Sequence, residues 1–413
     1  MLNKSVSDFL INHNMDPQNI DPSIISDSFC EHIEAGLSGN IIDLPMIPTY
    51  LNVSGKINKN EKIIVIDAGG TNYRSGLAEY DGNNFIITDI KKCAMPGTYS
   101  PISWDDFISF IVDSIECNLS LSDKIGFCFS YDAEITPECD GRVHVIDKEV
   151  VINGCEGKLI GESINIELEK RGYAKKHIVI INDTVAALLG GSSSYDTSVF
   201  SDMVGMICGT GFNMCMCYNN MIYNMEAGFF NNMPFGNVDR KLDKNSNFPG
   251  NKLIEKMISG AYIGPLCKEL ICMAAEDGYI SSSCRENIQT IDKFDGSCAD
   301  DMASGTDIFN ITDNKEDLEF ISQLCCAAFE RSARSVASAM IGVIKFNQSG
   351  TDSQFPAAFF AEGSLISKSK HFKEYLDNIL NHYAKDILNI NYRIYVGSDT
   401  TLPGAAMAAL LNT

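Results

Sequence analysis

Apolar positions in the first 40 residues recur at helical spacing, from Val6, Phe9 and Leu10 through Ile24 to Ile33, and Gly36 and Gly39 close the pattern. From Lys62 onward, short β-branched runs alternate with longer amphipathic ones. The pattern predicts strands over 63–65, 77–80, 85–89, 124–129 and 178–181, with helices over 104–116 and 159–170. A second set of strands follows over 203–224, and helical regions over 252–275 and 315–345. Residues 276–314 are rich in Ser, Asp, Gly and Asn and read as a surface excursion. A strand at Arg393-Ile394-Tyr395-Val396 leads to a small-residue helix over 402–411 with Pro403 at its start. This is the pattern of an α/β protein with mixed sheets.

Three of the apolar runs end in polar side chains at a turn. Ile63-Ile64-Val65-Ile66 runs into Asp67-Ala68-Gly69-Gly70-Thr71-Asn72-Tyr73-Arg74. Glycines let backbone N–H groups approach an anion, Thr71 and Asn72 add donors, and Asp67 suits a hydrated Mg²⁺. The same strand-to-glycine pattern also fits an ordinary hairpin turn. Val204-Gly205-Met206-Ile207-Cys208 runs in the same way into Gly209-Thr210-Gly211-Phe212-Asn213, so the phosphate-loop pattern occurs twice, once in each half. Between them, Ile178-Val179-Ile180-Ile181 ends at Asn182-Asp183-Thr184-Val185. Asp183 reads either as a helix N-cap or as a general base at the carboxyl end of a parallel strand, where ligands of open α/β sheets bind.

The motifs together resemble those of eukaryotic-type hexokinases. Asp67 to Arg74 is similar to the family's first phosphate motif, and Met46-Ile47-Pro48-Thr49-Tyr50 to the segment that precedes it. Phe127-Cys128-Phe129-Ser130-Tyr131 looks like the sugar segment, Asn182-Asp183-Thr184-Val185 like the catalytic segment, and Gly209 to Asn213 like the second phosphate loop. Asn224-Met225-Glu226 and Glu255-Lys256-Met257-Ile258-Ser259-Gly260 resemble the two glutamate segments. Glu362-Gly363-Ser364 and Ser398-Asp399 with Gly404-Ala405-Ala406 resemble the adenosine-side segments. The order is collinear and covers nearly the whole chain.

The resemblance implies a two-lobed actin-like ATPase (ribonuclease H-like) fold. The large lobe would comprise 1–61 and 183–397, and the small lobe 62–182 and 398–413. Hinges would lie near Lys62 and Val396. It implies phosphorylation of the 6-hydroxyl of a hexose, glucose first, by ATP with Mg²⁺. Asp183 would be the base, and Ser130, Lys148, Asn182, Asn213, Glu226 and Glu255 would contact the sugar. Asp67, Gly69, Gly70, Thr71, Asn72, Arg74, Gly209, Thr210, Gly363 and Ser364 would hold the nucleotide, with Asp67 also at the metal. The chain departs from the family at two points: a proline becomes Asp132, and the usual threonine before Lys148 becomes Asp147. An ionised Asp cannot donate as Thr does. These departures keep open a catalytically weak hexose-binding sensor of the same fold.

Composition adds exclusions. A chain of 413 residues with 45% hydrophobic content can bury a sizeable core. A net charge of −22 argues against nucleic acid or an anionic membrane as partner. No stretch approaches the 18 apolar residues of a membrane span and no signal segment opens the chain, so the expected location is cytoplasmic. The 15 cysteines are odd in number and scattered, which favours reduced thiols packed in the core over disulfides or zinc.

Overall fold

The computed structural model describes residues 4–52, 55, 57–70, 72–146 and 150–412. Helices α1 (Lys4–Asn12) and α2 (Pro22–Leu37) open the chain, and Asp21 caps α2 by accepting from Ser23 N. Strands β1 (Ile47–Asn52), β2 (Lys62–Gly69), β3 (Asn72–Tyr80), β4 (Phe85–Ala94) and the short β5 (Ile102–Ser103) lead to α3 (Trp104–Ile115). Next come β6 (Lys124–Phe129), the hairpin β7 (Asp132–Ile135) and β8 (Gly141–Val145), β9 (Ile152–Asn153), α4 (Ile160–Lys170) and β10 (His177–Ile181). Helix α5 (Asp183–Ser192) then leads to β11 (Asp202–Cys208), β12 (Phe212–Tyr218) and β13 (Met221–Asn224). A helical stretch follows: α6 (Asn237–Lys244), α7 (Leu253–Ile258), α8 (Gly260–Glu276), α9 (Ser282–Gln289), α10 (Gly296–Ala303) and α11 (Lys315–Asn347). The chain ends with β14 (Ala357–Glu362), α12 (Ser364–Lys368), α13 (Lys370–Leu380), β15 (Tyr392–Val396) and α14 (Thr401–Leu411).

Two sheets repeat one topology. In the first the strand order is β10-β6-β2-β3-β4, and in the second β1-β13-β12-β11-β14-β15. Each contains three consecutive antiparallel strands (β2 to β4, β11 to β13) extended by two parallel ones (β6 and β10, β14 and β15). Each last parallel strand is followed by a helix, α5 or α14. These two helices share one core with strands of both sheets: Val185 and Leu188 of α5 and Ala405 and Ala409 of α14 are buried with Val65, Val179, Cys215 and Phe360. A second core lies between the opposite face of the first sheet and helices α3 and α4. Because both faces of β2, β6 and β10 are covered, their sequences read as unbroken apolar runs without alternation. The third and largest core unites α1, α2, the second sheet and helices α6 to α13.

The expected surface excursion at 276–314 is not one. It contains α9 and α10, and Cys284, Ile288, Phe294, Ala299, Met302 and Ile311 are buried in the largest core. The apolar residues are too sparse for a visible period, yet each is used. Among the described residues no helix is long and apolar enough to cross a membrane. Every cysteine is a free thiol, most of them buried.

Candidate functional site

Strand register assembles the first part of the site. Across the parallel strands β2, β6 and β10, Asp67 pairs with Cys128 and Cys128 with Ile181, so the chain leaves β10 into Asn182 and Asp183 at the same edge that carries Asp67. The thiol of Cys128 senses both carboxylates: burial first, then the charges of Asp67 and Asp183, push its pKa well up. Asn182 takes the capping role at α5, accepting from Val185 N at 2.9 Å, so the sequence reading of Asp183 as cap is not what the backbone uses. Asp183 is instead the first residue of the helix, half-buried, and accepts from Thr184 Oγ1 at 3.2 Å.

The first glycine motif is a tight hairpin rather than an open loop. Strand β2 continues through Asp67 to Gly69, and Gly69 pairs with Asn72. Gly70 holds φ +57°, the left-handed conformation that a glycine adopts without strain. Tyr131 donates its hydroxyl to the Gly70 carbonyl, and Ser130 N donates to Ala68 O at 3.0 Å, which fixes Ser130 beside the hairpin. Thr71 and Lys148, both expected in the site, lie outside the described residues, as does Asp147.

Arg74 is committed to structure at the base of the hairpin. Its Nε and Nη2 donate to Asp67 Oδ2 at 2.9 and 2.7 Å, Nη1 reaches Asp399 Oδ1 at 2.9 Å, and Nη2 reaches Thr401 Oγ1 at 2.6 Å. Burial pushes the Asp67 carboxyl up and Arg74 opposes it, with a net rise. Thr401 also donates to Asp67 Oδ2 at 3.3 Å, so the start of α14 is tied to the hairpin. Among the described residues no three metal-ligating side chains gather. One carboxylate without a protein cage fits Mg²⁺ delivered on phosphate oxygens, since that ion keeps several waters and takes one or two carboxylates.

The second glycine motif is the three-residue turn between β11 and β12, where Cys208 pairs with Phe212. It is backed by the first residues of α8: Gly260 N donates to Gly209 O at 2.7 Å and Ala261 N to Thr210 O at 3.3 Å. Gly363, at φ +133°, passes so close that a Cβ there would stand 2.4 Å from Cys208 O. Thr210, Gly260, Pro265, Phe294, Asp295, Ser364 and Lys368 line a cleft of about 560 Å³ beside this turn. Residues 292–300, part of the expected excursion, thus form a wall of that cleft. The only sequence hint was Asp295 before Gly296, an N-cap that accepts from Ser297 N at 3.0 Å.

The proposed sugar residues divide into an inner relay and two outer carboxylates. Asn213 Oδ1 accepts from Met214 N and Ala227 N, and its Nδ2 donates to Asn224 Oδ1 at 2.8 Å. Asn224 Nδ2 in turn donates to Glu226 Oε1 at 2.9 Å. Asn213 therefore holds Glu226 in place through Asn224, whose place in the Asn224-Met225-Glu226 motif gives no sign of this role. Glu255 Oε2 accepts from Phe212 N at 3.0 Å. Asn182 and Asn224 line one narrow gap with Thr49 and Tyr131, which joins the edge of the first sheet to that of the second. Asp132 is an exposed residue at the start of β7, 3.3 Å from His144 Nδ1.

Known proteins resemble this chain in sequence and in fold. The chain is 26% identical to Hexokinase-5 of Oryza sativa subsp. japonica over 93% of its length and 85% of that protein's. It is 25% identical to Hexokinase-1 of Schizosaccharomyces pombe, over 94% of this chain and 87% of the other. Among solved structures, a hexokinase from Schistosoma mansoni complexed with glucose superimposes with a TM-score of 0.77 at 20% identity, covering 98% of this chain and 99% of that one. Another hexokinase crystal structure gives 0.81 at 18% identity, covering 99% of this chain and 100% of that one. The fold is accordingly the two-lobed actin-like ATPase fold. Two family models, both described as hexokinase, match residues 6–193 and 203–411, and the chain belongs to the hexokinase family, kinases that phosphorylate a hexose hydroxyl.

Proposed function

We propose that this protein transfers the γ-phosphoryl group of ATP to the 6-hydroxyl of a hexose, with glucose as the leading substrate and Asp183 as general base. The observation that carries the reading is the shared edge of β2, β6 and β10, where Asp67, Asn182 and Asp183 end up together. Asp183 takes the hydroxyl proton as the oxygen attacks phosphorus in line. Asn182, Ser130, Glu226 and Glu255 orient the ring, since carboxylates accept from neighbouring hydroxyls of a diol. Asn213 acts on the sugar through the Asn224 relay.

The turn amides of 69–70 and 209–211 with Asn72 and Thr210 receive the phosphates, and the cleft bordered by Phe294 and Ser364 receives the nucleoside. Arg74 keeps Asp67 oriented toward the phosphate side. When bound with the nucleotide, Mg²⁺ supplies charge neutralisation on the transferring phosphoryl group. The lobes divide as 1–61 with 183–397 and 62–182 with 398–413, and closure around the sugar excludes water from the reaction.

The test is ADP release on a panel of hexoses with ATP, with and without Mg²⁺. Sugar-dependent, Mg²⁺-dependent turnover is expected. Saturable sugar binding without turnover on any hexose would favour the sensor reading instead, and ATPase activity independent of sugar would contradict both.

A further inference from the structure

Lys252 enters the site at a position that neither the phosphate turns nor the glutamates require. Its backbone is left-handed at φ +47°, uncommon for a residue with a side chain. The loop before it is pinned from behind: Lys256 Nζ donates to Asp243 Oδ1 at 2.6 Å, Ser246 Oγ at 2.9 Å and Phe248 O at 2.7 Å. That anchoring holds the Lys252 ammonium 3.5 Å from Glu226 Oε2 and 5.1 Å from the centre of the Phe229 ring. The side chain remains 40% exposed, so its head is accessible to solvent. Burial works against its charge, but the carboxylates of Glu226, Glu255 and then Asp132 outweigh burial and raise its pKa above the usual lysine value. Lys252 is therefore a cation set among the carboxylates proposed to hold the sugar.

We infer that Lys252 is a specificity-determining residue: its ammonium donates to the sugar edge that Glu226 accepts from, and it disfavours hexoses that carry an ammonium on that edge. This rests on the hexose reading above. A hydroxyl can donate to Glu226 and accept from Lys252 at once, whereas a sugar ammonium only donates. Two carboxylates alone would attract an amino sugar. With Lys252 beside them that attraction is offset, and the ammonium meets a like charge at short range.

The experiment measures sugar binding by calorimetry, and turnover alongside it, for wild type, Lys252→Gln and Lys252→Arg at a pH where sugar amines are protonated. Glucosamine is compared with 2-deoxyglucose, and 3-amino-3-deoxyglucose with 3-deoxyglucose, so that loss of a hydroxyl is separated from gain of charge. In Lys252→Gln the affinity ratio of amino sugar to deoxy sugar is expected to rise by about tenfold or more for at least one pair. In Lys252→Arg, which keeps the charge, it should stay near the wild-type value. Ratios unchanged in Lys252→Gln would overturn the inference. Shifted binding ratios without turnover in any variant would leave it standing and sink the phosphoryl-transfer reading instead.

Discussion

Asp202 shows how a single side chain can make stability depend on pH. At the start of β11 its carboxyl accepts from Asn347 Nδ2 at 2.8 Å, Ser349 Oγ at 3.3 Å and Met203 N at 2.8 Å. Burial outweighs those bonds and raises its pKa from 3.8 to about 6. A raised folded-state value means the group's favourable contribution is complete below about 3.8 and is lost as pH climbs through about 6. Above that, a buried carboxylate opposes folding. Asp202→Asn should therefore gain on wild type in Tm between pH 5 and 7.5, by roughly 2 °C or more. Parallel melting curves at the two pH values check this, and a constant difference would contradict it. At the same scale, the residue types of the site were legible in the sequence: Asp67, Asp183, Glu226 and Glu255 all line up with motifs. Their partnerships were not, because Arg74 reaches Asp399 and Asn213 reaches Asn224 only after the strands pair.

The same division holds among elements. Strong periods and β-branched runs announced β2, β6, β10, α3 and α4 within a few residues of their observed bounds. The glycine motif at 67–74 fits either a phosphate loop or a hairpin turn in sequence, and the strand persists to Gly69, because cross-strand pairing to β3 extends beyond what local composition signals. The segment 276–314 looks like a surface excursion in sequence for the complementary reason: α9 and α10 are short, polar helices that gain stability from tertiary packing and leave little periodic signal. The crossing of α5 and α14 depends on glycine. A Cβ on Gly404 would stand 2.2 Å from Ala186 O, and one on Gly126 of β6 2.0 Å from Ala405 O, so the backbones touch where side chains would keep them apart. Gly404→Val should destabilise by about 1–3 kcal/mol or more, through overpacking that cannot relax along two helices at once. Thermal unfolding reads this as a lower Tm, and a Tm equal to wild type would show that the helix pair tolerates separation.

At the scale of the whole molecule, the two sheets repeat one strand order, each presents a glycine turn, and α5 and α14 fill the space between them. The paired turns were visible in the sequence. The matching topology was not, since it resides in which strands are neighbours, and local patterning does not encode that. The arrangement explains how an acidic protein of charge −22 can receive a polyanion: backbone amides and a few local cations act at short range, where the average field matters least. It also puts Asp183, the proposed base, at the start of the helix lying between the sheets. The most direct test is phosphorylation kinetics of wild type and Asp183→Ala on the best hexose of the panel, with sugar affinity measured separately. The account predicts that kcat falls by about two decades or more while sugar affinity largely survives. Turnover retained within a few-fold would contradict Asp183 as the base and, with it, the proposed mechanism.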